Sequence, residues 1–326
     1  MSLVDSHGRK IDYVRLAVTD RCNLRCAYCM PSQGIDFVPR KDLLSYEEML
    51  RMLKIFQTLG VKKLRITGGE PLVRKGLIDF LAKVNDQVFD GFHLTTNATL
   101  TEPHIPELLK AGLKSVNISI DTLNRQQFKE ITRRDELEPV LRSIDQFYDN
   151  DIPIKLNMVV MKGINEDAIL PMAHMAQHRA IGVRYLEEMP FNGTDEIKPG
   201  YFTYRDIEDI LATQFPDLKK MAYERTSTSQ NYKVKDWKGD LGIIASYSRT
   251  FCGTCNRLRI TPTGQLNTCL YGGSVLDIRK LLRNGSSDKE IGQHIQTAVA
   301  NKPKDGFEAE RLRIDRITES MAAIGG

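Results

Sequence analysis

Short β-branched runs alternate with amphipathic stretches from residue 13 to about residue 190, and each run closes on polar or glycine-rich residues. That rhythm predicts repeated βα units around a parallel sheet. The strands read this way are YVRLAVT (13–19), KKLRIT (62–67), FHLTT (92–96), SVNISI (115–120), IKLNMVV (154–160) and GVRYLEEM (182–189). Between the first two, Ser45 and Glu48 make a capping-box pattern that opens a helix running to Gly60. Six units fall short of the eight that close a barrel. The expected class is therefore α/β, an incomplete (βα)6 TIM-like barrel. After PFNGTDEIKPG the pattern changes to one helix (RDIEDILATQF), hairpin-like material, two helices and a polar tail. A boundary within residues 191–202 divides the chain into 1–195 and 196–326, the second part reading as an α+β cap on the first.

The strands break one rule of their class. Parallel strands buried on both faces normally read as nearly continuous hydrophobic runs. Here Lys63, Arg65 and Thr67 share one face while Leu64 and Ile66 share the other. The same parity sets Lys155 and Asn157 against Leu156 and Met158, and Arg15 and Arg184 take equivalent places in the first and sixth strands. Any one such cation reads most simply as a strand-end residue reaching water. Cations on four strands together predict an interior that holds an anion, because an unpaired buried charge costs several kcal/mol. A triphosphate is such an anion.

Composition narrows the partners. The 326 residues are 41% hydrophobic and 27% charged, and 46 Lys+Arg against 42 Asp+Glu leave a net charge of +4. No global field points to nucleic acid or to a membrane surface. The N-terminal residues carry no apolar signal core, and no window approaches the roughly 18 apolar residues of a membrane span. The expected location is the cytoplasm, where thiols stay reduced and clustered cysteines read as metal ligands or catalytic groups.

The six cysteines fall into two triplets, Cys22, Cys26 and Cys29, then Cys252, Cys255 and Cys269. Zinc is the plainest reading, yet structural zinc takes four ligands and neither triplet has a fourth cysteine or a sequence-near histidine. A 4Fe–4S cluster held by three thiolates leaves one iron open to another ligand. Between Cys255 and Cys269, NRLRITPTGQLNT reads as strand, turn at Pro262–Gly264, strand. That hairpin returns residue 269 beside residues 255 and 256, so the second triplet converges.

The first triplet has the spacing CxxxCxxC, with Tyr28 before its last cysteine, on the loop after the first predicted strand. This resembles the signature of the radical S-adenosylmethionine superfamily, in which the open iron is chelated by S-adenosylmethionine. The segment ITGGEP (66–71) is similar to the superfamily's glycine-rich stretch, where Gly68 and Gly69 let backbone approach a ligand closely. Together with LRITGGEPLVRK, FCGTCNRLRIT, Cys269 and the final IGG, the chain resembles the GTP 3′,8-cyclase family of molybdenum cofactor biosynthesis over essentially its whole length. One departure is Ala98, which follows TTN where the family usually has glycine.

The resemblance implies two 4Fe–4S clusters and S-adenosylmethionine as cofactors, with the second cluster on the C-terminal part. It implies that a 5′-deoxyadenosyl radical removes the 3′ hydrogen of GTP, and that the product is 3′,8-cyclo-7,8-dihydro-GTP. Tyr28, Gly68, Gly69, Glu70, Thr95, Ser119 and Met189 are then expected around S-adenosylmethionine. Arg15, Lys63, Arg65, Thr67, Lys155 and Arg184 are expected on GTP. Arg257 and Arg259 would line the path between the clusters, and with Gly325 and Gly326 they are the candidates for assisting the radical step. A reductant protein and a downstream pterin-forming enzyme are implied partners, and a homodimer is left open. Two other readings stand beside this one, a peptide-modifying radical enzyme and a non-catalytic protein with two metal sites.

Overall fold

The computed structural model describes residues 2–191, 201–223, 227–315 and 319–325. A short hairpin of β1 (Leu3–Val4) and β2 (Lys10–Ile11) precedes the main sheet. Six parallel strands follow in chain order: β3 (Tyr13–Ala17), β4 (Lys63–Thr67), β5 (Phe92–Thr96), β6 (Leu113–Ser119), β7 (Ile154–Val160) and β8 (Ile181–Glu187). The predicted strands coincide with these, β5 and β7 to the residue. The helix opened by Ser45 spans Tyr46–Thr58, and both halves of its capping box are formed.

The C-terminal part contributes more to the sheet than its sequence suggests. It supplies β9 (Lys219–Lys220), β10 (Gln230–Lys233), β11 (Asp240–Ile244), β12 (Arg257–Ile260), β13 (Gln265–Asn267) and β14 (Leu276–Asp277). The order across the sheet is β14-β13-β12-β3-β4-β5-β6-β7-β8-β11-β10-β9. Thus β12 lies parallel to β3 at one side and β11 lies parallel to β8 at the other. Both segments read from sequence only as hairpin material, because a strand's own alternation does not name the strand it will pair with.

Hydrophobic residues on the outer strand face, such as Leu64, Ile66, Leu94, Val116 and Leu156, pack against helix residues including Leu53, Phe56, Phe80, Ile144 and Phe147. Each such fully buried side chain contributes roughly 1.5–3 kcal/mol. The other strand face carries the cations. Because the central strands are parallel, the loops after β3, β4, β5, β6 and β8 gather at one end of the sheet. Among the described residues, no helix is long and apolar enough to cross a membrane.

Candidate active site

The loop after β3 carries the first cysteine triplet and is locked to the loop after β4 by main-chain bonds. Val18 N–H donates to Thr67 O at 2.9 Å, Gly69 N–H to Thr19 O at 2.8 Å and Glu70 N–H to Arg21 O at 2.8 Å. A Cβ at Gly69 would lie 2.4 Å from Arg21 O, and one at Gly68 would lie 2.6 Å from Thr19 O. The glycines therefore admit the backbone of the cysteine loop itself, a demand that acts before any ligand arrives.

Glu70 does not border the cavity. Its fully buried carboxylate accepts from Asn97 N–H (2.7 Å), Leu72 N–H (3.1 Å) and the Thr96 hydroxyl (2.9 Å). It thereby ties the glycine segment to the turn after β5, and burial pushes its carboxyl up to about 7. In that turn Asn97 Nδ2 donates to Asn23 Oδ1 at 3.0 Å and reaches Cys22 Sγ at 3.7 Å. Ala98 follows with φ of 61°, the left-handed conformation that explains why glycine suits this position.

Burial, then Glu70, pushes the Cys22 thiol up to about 12. Burial likewise raises Cys26 and Cys29, and Asp121 adds to the rise of both. Burial raises the Tyr28 phenol, and the nearby Asp121 adds to the rise. In the absence of metal these thiols hold their protons, and ligation would release them.

The second triplet sits where β12 and β13 separate. Their register sets Arg259 opposite Asn267, so carried on it puts Cys269 opposite Arg257, slightly beyond the residues 255 and 256 expected from the turn. Gly264, at φ of 82°, closes the hairpin with its N–H on Thr261 O. Cys252–Thr254 forms a single tight turn ahead of it. Burial pushes Cys252 up to about 11. For Cys255 burial also acts upward, but the charges of Lys302 and Arg257 outweigh it and hold the thiol below its ordinary value.

Both triplets border one cavity of about 480 Å³, within the range of small-molecule sites. Tyr28, Gly68, Gly69, Thr95, Ser119 and Met189 line it. Arg15, Lys63, Arg65, Thr67, Lys155 and Arg184, read from strand parity, line it as well, as do Arg257 and Arg259, which the resemblance implied. Burial, then Arg259, Arg65 and Arg257, pushes Arg15 down from the guanidinium range. Burial and the neighbouring cations push His93 down to about 3, so it stays neutral beside Ser115 Oγ at 2.7 Å.

Two details revise the picture of free cations. Arg184 forms a 2.6 Å ion pair with Asp240 of β11, so its counter-charge is already in the protein. Arg65 spends Nε on the Tyr13 hydroxyl (2.7 Å) and Nη1 on Leu94 O (2.7 Å). Tyr13 was missed from sequence although it shares strand parity with Arg15. Lys63 Nζ and Arg257 Cζ lie 5.1 and 5.8 Å from its ring centroid. Burial acts to raise its phenol, but Arg65 and Arg15 outweigh this and bring it to about 8. Asn97, Asn117 and Lys302 also line the cavity and carried no sequence signal.

The C-terminal tail enters the same space. Gly325 O accepts from Thr67 Oγ1 at 3.2 Å and from Arg259 Nη1 at 3.1 Å. Gly325 has φ of 82°, and a Cβ there would lie 2.8 Å from that of Ala17. Ser320 Oγ is 3.6 Å from Cys29 Sγ, so the tail touches the first triplet too. Gly326 lies outside the described residues.

The site fits metal clusters and a polar ligand on its own evidence. The Thr95 hydroxyl is buried at the cavity wall without a hydrogen-bond partner. Among the described residues no three Cys, His, Asp or Glu side chains are grouped for one metal ion. A cluster whose thiolates bind different irons does not require that grouping.

Comparison with known proteins agrees with this chemistry. Residues 16–176 match the family model of the radical SAM superfamily, and residues 181–308 match that of the molybdenum cofactor synthesis C family. The fold resembles Streptococcus suis SuiB bound to S-adenosylmethionine, with a TM-score of 0.58 at 14% identity, covering 89% of this chain and 69% of that one. The chain is thus a radical S-adenosylmethionine protein with a mostly parallel α/β fold. It is 38% identical over 325 residues to GTP 3′,8-cyclase of Clostridium perfringens (strain SM101 / Type A), covering 99% of both chains. It is 40% identical over 306 residues to molybdenum cofactor biosynthesis protein 1 of Bos taurus, covering 93% of this chain and 48% of that protein, and so spans about half the length of that relative. The chain belongs to the GTP 3′,8-cyclase family.

Proposed function

We propose that this protein converts GTP to 3′,8-cyclo-7,8-dihydro-GTP, an early step toward molybdopterin. The observation that carries the reading is that two cysteine triplets and cations from at least four strands border one cavity. Several cations gathered on one cavity favour a polyanion such as a triphosphate over a neutral peptide. Cys22, Cys26 and Cys29 would hold a 4Fe–4S cluster that serves S-adenosylmethionine, and Cys252, Cys255 and Cys269 would hold a second. When bound, these groups would supply the electron and the radical chemistry for abstraction of the 3′ hydrogen. The chain orients and encloses: Arg15, Arg65, Lys63 and Lys155 take the phosphates, while Thr95 and Ser119 face the junction of the two ligands. Arg259 and Thr67 hold the Gly325 carbonyl, which sets the tail against the reaction space.

In this reading residues 1–195 form an incomplete (βα)6 barrel and residues 196–326 a cap that carries the second cluster and extends the sheet at both sides. The enzyme works in the cytoplasm with a reductant protein and passes its product to a pterin-forming enzyme. The test is anaerobic incubation with GTP, S-adenosylmethionine and dithionite. Cyclised dihydro-GTP and 5′-deoxyadenosine should form together, and S-adenosylmethionine cleavage unaffected by GTP, with no nucleotide product, would refute the assignment.

A further inference from the structure

Lys302 lies between the helices Asp288–Ala300 and Gly306–Arg311 and is 3% exposed. Its ammonium donates to Arg257 O at 3.2 Å and to Thr268 O. Arg257 follows Cys255 by two residues, and Thr268 directly precedes Cys269. One buried side chain thus spans the open end of the hairpin on which two of the three second-triplet thiols are mounted. Among the described residues Lys302 forms no ion pair with a carboxylate. Carbonyl dipoles leave its charge uncompensated, and a buried ammonium without counter-charge costs several kcal/mol.

The carbonyls it holds belong to the residue two after Cys255 and the residue just before Cys269, so the negative charge carried by the same hairpin is that of those thiolates. The carboxylate of Asp305, three residues on, is occupied in capping the N–H groups of Phe307 and Glu308.

We propose that Lys302 is the charge partner of the second iron–sulfur cluster, a positioning residue that closes the Cys255–Cys269 hairpin and, as a fixed cation, stabilises the cluster's reduced state. The inference rests on the two-cluster reading above. A nearby positive charge favours the more negative oxidation state, so it raises the reduction potential of the second cluster.

The test uses full-length protein with Cys22, Cys26 and Cys29 changed to Ala, which isolates the second site, reconstituted with iron and sulfide and titrated electrochemically with EPR detection. Lys302→Gln should move the midpoint potential to a more negative value, and Lys302→Arg should leave it close to that of the Lys302 parent. An unchanged potential in Lys302→Gln at full iron content would reduce Lys302 to a structural peg and overturn the proposal. If Lys302→Gln loses iron, retention by Lys302→Arg supports a role for charge, and equal loss in both overturns it. Failure of the Lys302 parent to hold any cluster would instead refute the two-cluster reading.

Discussion

Replacing Gly69 by Ala separates two reasons for a glycine at that position. If the residue is small only to admit a ligand, Ala would leave the ligand-free protein intact. The structure gives the opposite expectation, since the added methyl would sit 2.4 Å from Arg21 O, 2.6 Å from Arg21 C and 2.9 Å from Asp20 O. These are main-chain atoms that cannot rotate away, so the two loops must separate. Overpacking costs about 1–3 kcal/mol. The bonds Gly69 N–H to Thr19 O and Glu70 N–H to Arg21 O add about 1 kcal/mol each if lost. We expect Gly69→Ala to lose about 2–5 kcal/mol in urea unfolding of metal-free protein. It should also hold less iron at the first triplet while retaining it at the second, because Cys22 rides on the displaced loop. Unfolding and iron content equal to those of the parent would refute the argument and return Gly69 to a purely ligand-facing role.

Ala98→Gly removes a left-handed strain of about 1–2 kcal/mol, against about 0.8 kcal/mol for the buried methyl and about 0.4–1 kcal/mol of chain entropy. Its unfolding free energy should stay within about 1 kcal/mol of the parent, and a loss above about 2 kcal/mol would contradict the backbone reading. An anion bound beside Tyr13 favours the protonated phenol, and Tyr13 otherwise titrates near about 8. GTP affinity by calorimetry should therefore fall as pH rises through about 8, and in Tyr13→Phe that dependence should disappear. Changing Cys252, Cys255 and Cys269 to Ala should halve the iron of reconstituted protein and leave slow S-adenosylmethionine cleavage, and full iron would disprove the ligand set. Gly325→Ala forces a methyl onto Ala17 in a left-handed conformation. It should expose the tail to protease and abolish most cyclised product while cleavage of S-adenosylmethionine continues.

Much of the scaffold was legible because its signals are local. Period-two alternation located β5 and β7 to the residue, Ser45 and Glu48 announced their helix, and parity alone turned Arg15, Lys63, Arg65, Lys155 and Arg184 toward one face. Two cysteine triplets without a fourth ligand pointed to an open metal site, and their resemblance to a known family, not spacing alone, named the chemistry. Tertiary structure decided which distant groups share that chemistry. Only strand pairing brought β11 and β12 to the sides of the sheet, gave Arg184 its partner Asp240 and set Tyr13 against Arg65. Lys302 looks like a surface residue in NKPKD, yet it is buried because a C-terminal segment folds over the hairpin. Alternation and caps are properties of neighbouring residues, whereas the field at a buried charge is a sum over groups that are remote in the chain.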